Sequence, residues 1–277
     1  MKTNKKLKIY VVAIACIIIM NIMIIFFPDI KAYVNQEVNT ELIEKVKSEA
    51  LSANIMFIEL DYGTDEYQNE RIASSQGASG VIIHKEEDKY FALTAKHVME
   101  EYSDQHKFLV LGHEDLDFKD YLNEGGEYQG LEDFYQQFPE LVLEYSDDKY
   151  DLAVVSFISD DEYEILEIAQ KSPVSGDKVV AMSNPYGNRN AVTAGKIIRE
   201  EESYSFHDDT TEYFVIKHTA LISKGSSGSA LLNEDLEIVG INLGGTENGF
   251  RKFIFGVAIA NDRIHDFLGS WKNQKTN

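Results

Sequence analysis

Ser227 lies in Lys224-Gly225-Ser226-Ser227-Gly228-Ser229-Ala230, where glycine and serine fill five successive positions between two apolar runs. Gly225 and Gly228 can take φ > 0 without a Cβ clash, so backbone amides in such a turn can converge on one point. An exposed hydroxyl beside N–H groups is what a nucleophilic serine needs, because the amides can hold a developing oxyanion. A plain turn between two strands has the same composition, so the chemistry also requires a base. His97 follows the apolar run 90–94 closely, at a strand end where its ring can face a cleft. Asp151 opens Asp151-Leu152-Ala153-Val154-Val155, a carboxylate at the mouth of a strand that must be buried. A histidine base oriented by a carboxylate is the usual means of activating a serine hydroxyl at neutral pH.

The elements that must position these groups read mostly as strands. Residues 54–60 form a first strand, and 61–76 is polar enough to be a surface loop. Runs 80–84 and 90–94 flank the polar turn 85–89 as a hairpin. Further apolar runs lie at 108–111, 141–143, 152–157, 178–182, 213–216, 238–241 and 253–259. Short strands with loop-rich connections predict an all-β sandwich or barrel. Apolar residues at three- and four-residue spacing predict a helix over 35–52, either a stalk or an element packed on the domain. Residues 262–271 read as a closing helix, with Ile264, Phe267 and Leu268 on one side. The interval 113–150 is rich in Asp, Glu and Tyr and reads as an acidic insertion with one short helix near 131–138. His207-Asp208-Asp209 reads as a loop between strands.

Composition narrows the functions further. The 277-residue chain carries 47 acidic and 26 basic residues, a net charge of −21. That argues against a nucleic-acid partner, since phosphate binding relies on Lys and Arg. Cys16 is the only cysteine, so an intramolecular disulfide is excluded, as is thiol catalysis in the folded domain. The seven histidines show no metal-ligand spacing and no EF-hand pattern occurs, so neither a metal nor a cofactor is expected. Residues 9–27 form an uncharged run behind Lys2, Lys5, Lys6 and Lys8. Such a run nearly spans a bilayer, and its basic flank predicts an anchor with the C-terminal domain outside the cytoplasm. The rival is a cleaved signal peptide and secretion, though no clean small-x-small site follows. The expected organisation is a basic flank over 1–8, an anchor over 9–27, a helical stalk over 28–53, the main domain over 54–270 and a tail over 271–277.

Taken together, Thr94-Ala95-Lys96-His97-Val98, Asp151-Leu152-Ala153-Val154 and Gly225-Ser226-Ser227-Gly228-Ser229 resemble the His, Asp and Ser motifs of trypsin-like serine peptidases, in that family's order. Residues 176–187, with Asn184-Pro185-Tyr186-Gly187, are similar to a segment of the HtrA branch, and 192–198 to its next strand. Ser227-Gly228-Ser229 and residues 240–245 resemble the bacterial glutamyl endopeptidase branch instead. The resemblance spans about 54–270. It implies two six-stranded antiparallel β-barrels with a cleft between them and a C-terminal helix. It also implies Ser227 as nucleophile, His97 as general base and then acid, and Asp151 as the group fixing the imidazole. The amides of Gly225 and Ser227 would form the oxyanion hole.

By the same resemblance, Leu221 and Ile222 would lie near the base of the S1 pocket, with Asn242, Leu243 and Gly244 as one wall and Gly256 as the other. None is charged, so the expected P1 residue is small or medium and apolar, because burying an unpaired charge is costly. Asn242 stands where glutamate-specific relatives carry a histidine. Ser226 stands where digestive relatives carry an aspartate that binds a freed N-terminus, which argues against that activation route. No PDZ domain follows in this sequence. The implied partners are protein or peptide substrates and, through 9–27, a membrane; oligomeric state is left open. The competing expectation is a catalytically silent relative that uses the cleft to bind peptides or sense damaged envelope proteins.

Overall fold

A computed structural model describes residues 39–64, 70–103, 106–128, 130–206 and 211–275. The run 9–27, Cys16 and His207-Asp208-Asp209 lie outside the described residues. No helix among those described is long and apolar enough to cross a membrane.

The chain opens with α1 (Thr40–Glu49) and then alternates strands in two antiparallel sheets. The first contains β1 (Asn54–Thr64), β2 (Glu70–Glu86), β3 (Lys89–Ala95), β4 (His106–Leu111), β5 (Val142–Asp147) and β6 (Leu152–Ile158). The second contains β7 (Lys178–Ser183), β8 (Ala191–Tyr204), β9 (Tyr213–His218), β10 (Ala230–Leu232), β11 (Ile238–Glu247) and β12 (Phe253–Ala260). The second sheet is a closed barrel, in the order β10-β11-β12-β9-β8-β7.

The first sheet corrects the expectation of two closed barrels. Its order is β4-β1-β2-β3-β6-β5, with β4 and β5 at its edges, so it is a half-barrel. Its ends approach through the segment before β5. Leu141 N donates to Phe108 O at 2.8 Å, and Val110 N to Pro139 O at 3.0 Å. The acidic insertion interrupts this seam. The expected interval 113–150 runs too far, since β5 lies within it, and the part before β5 holds two helices rather than one, α2 (Phe118–Asn123) and α3 (Leu131–Tyr135). Asp117 caps α2 by accepting from Asp120 N at 2.8 Å. Phe134 and Tyr135 of α3 join Met56, Ile58, Leu60, Leu109 and Leu111 in a small cluster beneath the insertion.

A second correction concerns 61–76. β1 and β2 pair continuously from Asn54↔Val81 to Thr64↔Glu70, with one register shift at Phe57/Ile58. Backbone hydrogen bonds carry this ladder, so the polar sequence gave no apolar alternation to reveal it.

Two helices couple the sheets. The helix expected as a stalk or a packed element is packed: Leu42, Ile43 and Val46 of α1 are buried in the main core. At the other end, α4 (Asn261–Lys275) leaves β12 of the second barrel and lays its apolar side on the first sheet. Trp271 lies 5.5 Å from the Phe91 ring, and Phe267 lies 5.2 Å from Tyr145.

Candidate active site

Asp151 ends the turn that follows β5, with φ at +50° and only 4 % of its surface exposed. Aspartate tolerates this left-handed backbone better than most residues. Two main-chain bonds hold the turn against the end of β3. Lys96 N donates to Asp151 O at 2.9 Å, and His97 N donates to Asp151 Oδ1 at 2.8 Å. The other carboxylate oxygen, Oδ2, lies 2.6 Å from His97 Nδ1. A buried carboxylate bonded to one ring nitrogen fixes the tautomer and leaves Nε2 for chemistry. His97 is partly exposed, as a proton carrier must be.

Ser227 reaches the same cleft from the second barrel. A single cavity is lined by His97, Ser227 and Gly225, together with Phe57, Gly77, Val98 and other residues. The Ser227 hydroxyl donates to Leu243 O at 3.0 Å. Among the described residues, the amides of Gly225 and Ser227 donate to no backbone carbonyl. Gly225 takes φ +95°, and a Cβ there would lie 2.8 Å from Asn184 O and 3.0 Å from Tyr186 N. Gly228, at φ +82°, is closed off by Thr94 Oγ1 and Ser79 O. Both glycines are therefore demanded by backbone sign and by space.

Ser79 and Asn184 wire this turn to the first sheet. Ser79 N donates to Ser227 O at 3.0 Å, and Ser79 Oγ donates to Gly225 O at 2.8 Å. That hydroxyl accepts from Asn184 N at 3.0 Å, while Asn184 Nδ2 reaches Ile55 O at 3.0 Å. Ser226 faces inward. Its Oγ donates to Ser183 Oγ at 3.1 Å and accepts from Ser223 N at 3.2 Å. Ser229 Oγ accepts from Asn242 Nδ2 at 2.9 Å.

The expected pocket residues come together only in part. Ile222 is buried, and its Cδ1 would lie 2.9 Å from a Cβ on Gly256. Asn242 pairs with Ala258, and Gly244 with Val257, so these positions of β11 and β12 lie side by side. Leu221 is exposed while neighbouring Ile222 is buried. Two residues absent from the sequence reading enter here. His218 of β9 is fully buried against Gly256, and neither ring nitrogen forms a hydrogen bond. The Asn242 side chain and the Ala220 backbone lie close enough to favour the charged ring, though no bond of normal geometry forms, and burial outweighs them. Burial pushes its pKa down to about 4, so it is neutral at physiological pH. Phe206 lies 3.1 Å from where a Cβ on Gly244 would stand, and its ring centroid is 6.4 Å from that of His97. A burial-weighted reading of β9 could have flagged His218 as a polar residue at an inward position. Nothing local marks Phe206.

No group of three or more His, Cys, Asp or Glu among the described residues is placed to hold a metal ion.

An all-β pair of antiparallel sheets, with serine, histidine and aspartate converging between them, defines the chymotrypsin-like architecture. Residues 78–241 match the trypsin-like peptidase domain, and the chain belongs to that family. It is 31 % identical over 133 residues to the serine protease HTR4 of Rattus norvegicus, a stretch covering 47 % of this chain and 26 % of that protein. It is 30 % identical over 136 residues to the serine protease HTRA4 of Homo sapiens, covering 48 % and 27 %. The serine endoprotease DegS of Haemophilus influenzae is 33 % identical over 129 residues, covering 44 % and 38 %. The matched stretch is about half of this chain and well under half of each relative.

Proposed function

We propose that this chain is a serine endopeptidase acting through Ser227, His97 and Asp151. The observation that carries this is the 2.6 Å His97–Asp151 bond in a cleft whose lining also includes Ser227. In the proposed reaction, Ser227 Oγ attacks the scissile carbonyl while His97 Nε2 takes its proton. The amides of Gly225 and Ser227 hold the oxyanion, and Asp151 stabilises the imidazolium. His97 then protonates the departing amine, and water hydrolyses the acyl ester by the same route. A fluorophosphonate probe should label the full chain, with labelling lost in Ser227→Ala and weakened in His97→Ala. Intact, folded protein that never labels would overturn the reading.

A silent, peptide-binding relative has two observations in its favour. The Ser227 hydroxyl is bonded to Leu243 O rather than to His97, and Phe206 stands over Gly244. For an active enzyme, substrate must displace both contacts, and the probe experiment separates the two readings.

The proposed P1 preference is a small or medium apolar residue. His218, buried against Gly256, is neutral at physiological pH, which leaves a charged P1 side chain without a counter-charge there. A P1 peptide library dominated by Glu or Arg would refute it. The proposed placement is membrane-anchored through 9–27 with the peptidase outside the cytoplasm, on the strength of that uncharged run behind its basic flank. Protease accessibility in intact and permeabilised cells tests it.

A further inference from the structure

His97 stands between two cavities of different chemistry. One, of about 500 Å³, is lined by Lys96, Glu100, Asp148, Asp151, Phe206 and Tyr213 among others. The other, of about 340 Å³, contains Ser227 and Gly225 and is floored by Phe57, Val98 and Phe108. Its size is at the low end for ligand pockets. Phe57 and Phe108 are core residues, 1 % and 4 % exposed, so they bound the cavity from the core side. Glu59 and Lys224 also line it, with opposite charges and no net bias. Glu59 is already engaged by His106 Nδ1 at 3.0 Å.

The geometry of acyl transfer assigns this second cavity a side. Beyond Ile241, where its pairing with β10 ends, β11 carries Leu243 O, the acceptor of the Ser227 hydroxyl. An extended acyl chain can add to that edge by main-chain hydrogen bonds. With the acyl half on β11 and the carbonyl oxygen on Gly225 and Ser227, the leaving half must depart past His97 toward β1 and β2. Phe57, Gly77 and Ala78 of those strands line the second cavity.

We propose that this cavity is a selective subsite for the residue just after the scissile bond, P1′, and that it takes a large apolar side chain such as Leu or Phe. The inference rests on the endopeptidase reading above. In the step concerned, Ser227 Oγ–C forms first, giving the tetrahedral oxyanion; the amide C–N bond then breaks as His97 passes the serine proton to the leaving amine. Burying the P1′ side chain in the transition state lowers the barrier for that step, and burial of a Leu-sized group supports about a tenfold or greater gain.

The test uses the full chain and peptides with a fixed acyl half and Ala, Leu, Phe, Asp or Lys at P1′. Leu and Phe should exceed Ala by tenfold or more in kcat/KM, with Asp and Lys below Ala. A flat profile, or one led by Asp or Lys, overturns the proposal. Val98→Phe, which fills the cavity, should collapse the Leu-to-Ala ratio, and the ratio cancels any loss of active protein. An unchanged ratio counts against the cavity as the seat of selectivity. Partition of an acyl-enzyme between water and leucine amide or glycine amide reads the same subsite, and leucine amide should capture more. Fluorophosphonate labelling does not use P1′. A chain that labels but shows no P1′ preference defeats this inference alone, whereas one that neither labels nor cleaves defeats both readings.

Discussion

Asp151 illustrates how much one residue decides. Its carboxylate accepts from the His97 backbone with one oxygen and meets the ring with the other, at 2.8 and 2.6 Å. Asp151→Asn preserves the shape but presents an N–H or a weaker acceptor to Nδ1, which favours the wrong tautomer. Its kcat should fall by about 10⁴-fold with little change in unfolding midpoint, as steady-state kinetics and urea denaturation can show. Gly228→Ala acts the opposite way. The added Cβ meets Thr94 Oγ1 and Ser79 O at a left-handed backbone, so stability should drop by more than about 2 kcal/mol. These residues were legible because each motif is short and its chemistry is local. His218 and Phe206 were not, because their importance comes from Gly256 and Gly244, residues remote in sequence.

Among the elements, Ser79 of β2 and the Asn184 turn position the amides of Gly225 and Ser227, the oxyanion donors of the proposed mechanism. Ser79→Ala removes the donor to Gly225 O and leaves Asn184 N without its buried acceptor. Stability should fall by roughly 1–3 kcal/mol, and kcat should fall further than stability alone explains as the turn loosens. Measuring kcat well below the unfolding transition separates the two effects. The sequence contained both residues, and Asn184-Pro185 belongs to the HtrA-like segment, but a hydroxyl that joins two sheets leaves no periodic trace. The 61–76 segment was misread for a related reason. Its pairing is a property of backbone against backbone, whereas the hairpin of β2 and β3 announced itself through apolar side chains.

For the whole molecule, His218 sets a pH dependence. Its folded pKa is depressed from 6.5 to about 4. Between those values the unfolded chain binds more protons than the folded one, so stability rises with pH across that window. The contribution is full above about pH 6.5 and is lost as pH falls toward 4, a span on the order of 3 kcal/mol. Thermal unfolding of His218→Leu should show a flatter profile over pH 4 to 6.5 than the parent. The all-β class and closing helix were readable from short apolar runs. The open edge of the first sheet was not, since it depends on where the insertion separates β4 from β5.

The closing helix has a consequence in time. Phe267 and Trp271 belong to a segment that emerges after every strand, yet they cover Phe91, Tyr145 and Tyr150 of the first sheet. During synthesis that sheet stays unfinished until α4 arrives, however early its strands pair. The two sheets therefore lock together late, once residues 261–275 are clear of the ribosome.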